Sequence, residues 1–317
     1  MQQSLRNSIT NVSVTVLIVI LLKKAVAFPT MIILNLLQFI FSFFHFGFLS
    51  ELVGLVSGYG TYALTLGISV IIAKLIFKTP QNVVFPFHKT DSEYTMLAVA
   101  HGVSMGFIIN LMIVLLVLLF SMLHIQFLLP PANDYNSMFS LIADSVLAGI
   151  LPAFLEEMLF RGVILQSLRK HSNNIAILFS AIAFALCHNS FPQALFAFCM
   201  GVIFAVMTIR TGSLLPSIIT HAIYNFTASL ISGLLARSSG NMAIVVDATI
   251  YILFVAVAII SYLKIKDKYG SIYWYPQCEE KITSDERKEI FSSIPFIIVL
   301  ILCFVLFIKG VRIGVFG

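Results

Sequence analysis

Residues 95–122 read TMLAVAHGVSMGFIINLMIVLLVLLFSM, a run without Asp, Glu, Lys or Arg. A hydrocarbon layer about 30 Å thick needs about 20 apolar residues of helix to cross it. The apolar side chains do not alternate with polar ones, so a membrane barrel strand does not fit. The rest of the chain has the same character. Of its 317 residues, 59% are hydrophobic and 10% are charged, and the mean hydropathy is +1.01. A soluble domain carries about 25% charged residues, so this chain has too few to cover a water-facing surface. The balance excludes a disordered chain, an ordinary cytosolic enzyme and the usual nucleic-acid binder.

Working outward from 95–122, further spans are expected at 26–50, 54–77, 138–168, 174–190, 192–209, 214–235 and 243–263, with 291–308 as a ninth. The fold class is all-α, a polytopic transmembrane helical bundle of about eight to nine spans. Val12 to Leu22 is short for a span. Phe28-Pro29 predicts a break after it, leaving that run in the interface or as an extension of the first span. It has the length of a signal-peptide core, but Lys23-Lys24 follow without a small-residue cleavage pattern.

The basic residues set the orientation. With the N-terminus cytoplasmic, fifteen of the 19 Lys and Arg fall inside. Arg237, Lys309 and Arg312 fall outside, and Arg161 lies within a span. This asymmetry predicts the N-in, C-out arrangement. The formal charge of +5 therefore speaks of topology rather than of an acidic partner. The loop 264–290 holds Tyr269, Tyr273, Trp274 and Tyr275 and reads as a solvated cytoplasmic cap. Three regions are expected: N-terminal helices over 1–137, a core over 138–235, and C-terminal helices over 236–317. The four cysteines (Cys187, Cys199, Cys278, Cys303) show no CxxC pair and read as thiols buried in helices or incidental to loops.

A charge inside hydrocarbon costs at least about 2.5–3.5 kcal/mol, so the exceptions carry information. The densest is Leu155-Glu156-Glu157-Met158-Leu159-Phe160-Arg161. Glu157 and Arg161 are four residues apart on one helix face and can pair. Glu156 is rotated by about 100° from Glu157 and has no intrahelical cation, which suits a general base. Pro152, one turn upstream, is expected to kink the helix and open space beside Glu156. The second exception is Phe184-Ala185-Leu186-Cys187-His188, and the third is His221-Ala222-Ile223-Tyr224-Asn225. Each of these pairs its first and last residues on one face; taken alone, each is also compatible with packing or an interhelical hydrogen bond. At a rise of about 1.5 Å per residue, Glu156 lies about 20 Å deep, His188 about 21 Å, and His221 and Asn225 about 12–18 Å. The three elements can meet in one intramembrane cavity.

These elements resemble the CPBP family (CAAX protease and bacteriocin-processing, or Abi) of intramembrane glutamic endopeptidases, which includes the type II CAAX prenyl proteases. The family pattern EExxxR, FxxxH and HxxxN stands here as Glu156-Glu157-xxx-Arg161, Phe184-xxx-His188 and His221-xxx-Asn225. The resemblance covers about 70 residues, 156–225, within a catalytic core on four central helices. It implies that Glu156 activates the attacking water with help from His188. His221 and Asn225 then stabilise the oxyanion, while Glu157, Arg161 and Phe184 support the site. Family members are often described as metalloproteases, and Glu with two His can ligate zinc. There is no HExxH pair, however, and the donors are spread over three helices, so no cofactor is expected.

The implied partners are a membrane-associated peptide or protein substrate and the lipid bilayer, with no nucleic acid; the sequence leaves the oligomeric state open. Composition suits a bacterial plasma membrane and a role in peptide or bacteriocin maturation or self-immunity. The competing class is a non-catalytic membrane scaffold or regulator of a sensor kinase or cell-wall enzyme. A transporter would need helix breaks or inverted repeats, and none is evident.

Outside the motifs, Asp144 and Asp247 read as capping or interfacial residues, and Asn110 as an interhelical hydrogen bond. His45, His101 and His124 read as packing or interface residues. The 29 Phe residues read as lipid-facing surface and core filler.

Overall fold

The structure, a computed structural model, describes residues 4–127, 135, 137–188, 190–237, 241–270 and 284–313. It is an all-α bundle. In chain order the helices are α1 (Leu5–Phe43), α2 (Gly47–Phe77), α3 (Gln81–Val84), α4 (Ser92–Met122) and α5 (Met138–Glu157). A π-helical segment, Met158–Leu165, continues α5 without a break into α6 (Gln166–Leu168). Then follow α7 (Asn173–Leu186), α8 (Phe191–Thr211), α9 (Leu215–Ala236), α10 (Asn241–Tyr269), α11 (Ser284–Phe291) and α12 (Ile294–Lys309). Two short strands, β1 (Ile125–Phe127) and β2 (Val311–Ile313), pair antiparallel and tie the end of α4 to the end of α12. Among the described residues, seven helices are long and apolar enough to cross a membrane. The shorter α7 and α12, of 14 and 16 residues, account for the difference from the expected eight to nine.

Of the two expectations for Val12 to Leu22, the structure gives the extension of the first span: α1 runs unbroken for 39 residues through Pro29, without the break expected at Phe28-Pro29. Apolar surroundings make backbone hydrogen bonds obligatory, so a helix tolerates one lost N–H more readily than an open chain end. Leu5, Ile9, Val12, Val16 and Val19 recur on one helical face and are buried. Beyond Pro29 the helix turns apolar side chains outward, with Ile32, Phe39 and Phe43 exposed as a lipid-facing surface requires. The span expected at 26–50 is instead divided: α1 ends at Phe43, His45 takes φ 58°, and α2 begins at Gly47.

The span expected at 174–190 is also shorter. Helix α7 stops at Leu186, about 21 Å from its start, and the chain turns at Cys187 and His188. The Ser190 hydroxyl then accepts the Gln193 amide at 3.4 Å, and Pro192 occupies the first turn of α8. These are start signals for a helix, and they end the preceding one. The early stop leaves His188 inside the bundle rather than at a membrane face.

Close helix approaches set the site's geometry. A Cβ on Gly149 of α5 would sit 2.9 Å from the Ala222 carbonyl of α9, and one on Gly201 of α8 would sit 3.0 Å from the Ala181 Cα of α7. Only glycine allows these backbones so near. The Ser145 hydroxyl donates to Ser229 at 3.2 Å across the same α5–α9 seam. The helix carrying Glu156 and the helix carrying His221 are thereby locked together.

Several sequence expectations meet their partners here. The Asn110 amide donates to the Tyr251 hydroxyl at 3.2 Å, joining α4 to α10. His101 is buried, with its Nδ1 at 3.1 Å from the Ala258 carbonyl across the same pair of helices. Asp144 is not a cap. Ser137 caps α5, and buried Asp144 instead accepts the Tyr59 hydroxyl at 2.9 Å and the Tyr135 hydroxyl at 2.7 Å. The loop expected at 264–290 is helical at both ends, where α10 continues to Tyr269 and α11 begins at Ser284; Tyr269 packs edge-on against Tyr94 at 5.1 Å and donates to Asp91 at 3.2 Å. Tyr273, Trp274, Tyr275 and Cys278 lie outside the described residues.

Candidate active site

The bundle encloses a cavity of about 200 Å³. Its walls include Glu156, His188, His221 and Asn225, together with Tyr62, Pro152, Phe184 and Phe204. The three motifs separated in sequence thus open onto one space. Pro152 sits on the wall next to Glu156, one turn above it.

The cavity stands on a buried ionic base. The Arg161 guanidinium donates through Nη1 to Glu157 Oε1 at 2.9 Å, and both side chains are fully buried. Its Nη2 donates to the Gly201 carbonyl at 3.2 Å. Desolvating two ions is costly, and attraction offsets that cost only when the geometry is good and the remaining groups find partners. Aromatic rings supply part of the compensation. The guanidinium carbon lies 4.4 Å from the Phe184 ring centroid and 5.1 Å from that of Phe204. A weakly hydrated planar cation between ring faces is a favourable arrangement where water is scarce. Arg161 lies in the π-helical segment, whose wider turn re-aims the side chains that follow Glu157.

Glu157 passes this order on to His221. The imidazole Nδ1 lies 3.1 Å from Glu157 Oε1, the oxygen also held by Arg161. A carboxylate so paired accepts only, so Nδ1 carries the hydrogen. The ring is stacked on Phe204 at 4.9 Å with an interplanar angle of 18°, and Phe184 meets it edge-on at 5.9 Å. Its other nitrogen, Nε2, lies 3.6 Å from Glu156 Oε2. That exceeds a hydrogen bond, so the pair opens onto the cavity rather than closing on itself.

His188 is set differently. Its Nδ1 donates to the Phe184 carbonyl at 2.9 Å, and its ring meets the Phe184 ring edge-on at 4.9 Å. A carbonyl only accepts, so the hydrogen is on Nδ1, and Nε2 is the basic nitrogen in the neutral ring. His188 shares the cavity with Glu156, and no hydrogen bond joins the two. Asn225 donates one amide hydrogen to the Ala148 carbonyl at 3.4 Å, which leaves its second N–H for the cavity.

Residues 138–227 match the family model described as type II CAAX prenyl endopeptidase Rce1-like. Over that stretch, under a third of the chain, the protein is similar to the Rce1-like domain. This family is a protease family. The match runs from the start of α5 into α9 and contains every motif residue. No curated protein and no solved structure matches the chain.

Two side chains outside the Rce1-like domain reach the site, and the sequence reading missed both. Tyr62 of α2 donates its hydroxyl to Glu156 Oε1. Glu156 therefore lacks a cation on its own helix, as expected, but has a donor from another. Lys23 of α1 donates to the Cys187 carbonyl at 2.6 Å, with its ammonium 5.6 Å from the Tyr62 ring centroid. Tyr62 stands in an apolar helix without a motif, and Lys23 reads as a positive-inside flank. Phe204 was equally silent among the many phenylalanines. Among the described residues, no group of three or more His, Cys, Asp or Glu is arranged to hold a metal ion.

Proposed function

We propose that the protein is an intramembrane endopeptidase that hydrolyses a peptide bond in a membrane-associated protein or peptide. The observation that carries this reading is the opening of Glu156, His188, His221 and Asn225 onto one cavity within the Rce1-like domain. Glu156 Oε2 takes a proton from water as the water oxygen attacks the scissile carbonyl carbon, with His188 Nε2 helping to hold that water. The oxyanion that forms is stabilised by the second Asn225 N–H and by His221 Nε2–H. Because Nδ1 already donates to Glu157, donation from Nε2 requires a doubly protonated ring, with Glu157 as its counterion. As the C–N bond breaks, the proton held by Glu156 passes to the leaving amine. The carboxylate is thereby restored, and no covalent enzyme intermediate forms. No step calls on a metal ion.

The biological role we assign is maturation of membrane-associated peptides, including bacteriocin precursors, or self-immunity, in a bacterial plasma membrane with the N-terminus cytoplasmic. The charge asymmetry of the loops supports that orientation. The pairing of Ile125–Phe127 with Val311–Ile313 fits the expected span count in either orientation, since an even number of spans separates the two segments.

The test is cleavage in reconstituted bilayers. The chain is incubated with a library of membrane-anchored peptides, prenylated and unprenylated, and new termini are read by mass spectrometry. Cleavage by the wild-type chain that is absent from Glu156→Gln and survives a zinc chelator supports the proposal. Cleavage retained by Glu156→Gln contradicts it, and inhibition that zinc reverses contradicts its metal-free form.

A further inference from the structure

The Rce1-like domain does not enclose its own cavity: part of the wall comes from α2, outside the match. We propose that Tyr62 is a positioning residue for Glu156. Its hydroxyl fixes Oε1 and so presents Oε2 as the oxygen that takes the proton from water. This rests on the reading of Glu156 as general base.

A free carboxylate has two equivalent oxygens, and rotation about its last bond exchanges them. A donor on one removes the equivalence. Tyr62 holds Oε1, and Oε2 is the oxygen on the His221 side, 3.6 Å from Nε2. A general base must be held in line with its water, and small errors of placement lower the rate steeply.

Tyr62 is itself held. The Lys23 ammonium lies 5.6 Å from its ring centroid, and the Cys187 carbonyl anchors that ammonium at 2.6 Å, one residue before His188. An apolar cleft of about 310 Å³, lined by Gly54, Gly58, Tyr59, Tyr62 and Pro152, adjoins the cavity of Glu156. Both are bounded by Tyr62 and Pro152. The ring thus has neighbours that fix it without using its hydroxyl, and the hydroxyl is committed to the carboxylate.

Packing alone would need only the ring, so Tyr62→Phe separates the two roles. Turnover is measured on the peptide that the wild-type chain cleaves best, with kcat and KM resolved. The expected result is a kcat lower by about 10–100-fold with KM within about 2-fold and melting temperature unchanged. Replacing Tyr62 with 3-fluorotyrosine restores a hydroxyl of the same reach and should return kcat to within about 2-fold of wild type. Lys23→Met should lower kcat by about 3–10-fold, and combining it with Tyr62→Phe should add little, because both act through one contact. Wild-type kcat in Tyr62→Phe overturns the proposal, as does a 3-fluorotyrosine protein no better than Phe. Glu156→Gln is run beside them. If it is inactive while Tyr62→Phe is fully active, only the positioning role fails; if it turns over normally, the general-base reading fails with it.

Discussion

Asp144 and Glu156 stand on the same helix, and each accepts a hydrogen bond from a tyrosine of α2, Tyr59 and Tyr62 respectively. Their surroundings then diverge. Both Asp144 oxygens are taken, Oδ1 by Tyr59 and Oδ2 by Tyr135. Glu156 has one oxygen taken, while the other faces His221 across 3.6 Å on the wall of a cavity. A buried carboxylate saturated with hydroxyl donors joins helices. One with an oxygen left at a cavity beside two histidines can exchange a proton with what enters. Spacing and residue type mark both as polar groups in apolar helices; only the partners separate the joint from the working group.

Substitutions can break this contrast, beginning with the largest effect. Glu156→Gln keeps volume and a hydrogen-bonding oxygen for Tyr62 but loses the base. It should lower kcat by about 10³-fold or more with little change in melting temperature. Arg161→Ala should harm fold and activity together. It takes from Glu157 its fully buried cation and leaves it only the His221 N–H, a loss of about 3–5 kcal/mol, read as lower yield and a lower melting temperature in detergent. Asn225→Ala removes one donor at the oxyanion and should lower kcat by about 10²-fold at nearly constant KM. Asp144→Asn is the control on the other side of the contrast. It disturbs a saturated joint, so it should cost about 1–2 kcal/mol of stability and leave kcat within about 2-fold. A large kcat loss in Asp144→Asn without destabilisation would erase the distinction between the two carboxylates.

How far the sequence reaches can be judged from particular residues. The motif helices were legible because an ionisable group in an apolar run is conspicuous, and spacings of four residues put Glu157 with Arg161, Phe184 with His188 and His221 with Asn225. Depth counting from helix ends also brought the three to a similar level. What escaped depends on contacts between helices. Tyr62 and Lys23 carry no periodic signal that links them to Glu156, nor does Phe204 carry one that links it to His221. The π-helical segment over Met158–Leu165 is written in no residue pattern, yet it carries Arg161 on the turn after Glu157. Two boundary readings failed for local reasons. Pro29 reads as a breaker, whereas apolar surroundings favour a continued helix, and 174–190 reads as a full span although Ser190 and Pro192 already start the next helix.

The central claim is that Glu156, and not the other tyrosine-bound carboxylate of its helix, performs hydrolysis. Its most direct test compares cells expressing wild type, Glu156→Gln and Asp144→Asn at matched membrane levels, reading the termini of membrane and secreted peptides by mass spectrometry. The account predicts a set of cleaved termini present with wild type and Asp144→Asn and missing with Glu156→Gln. Identical profiles for wild type and Glu156→Gln, with both forms rescuing a deletion strain, would contradict it and make the protein a membrane scaffold.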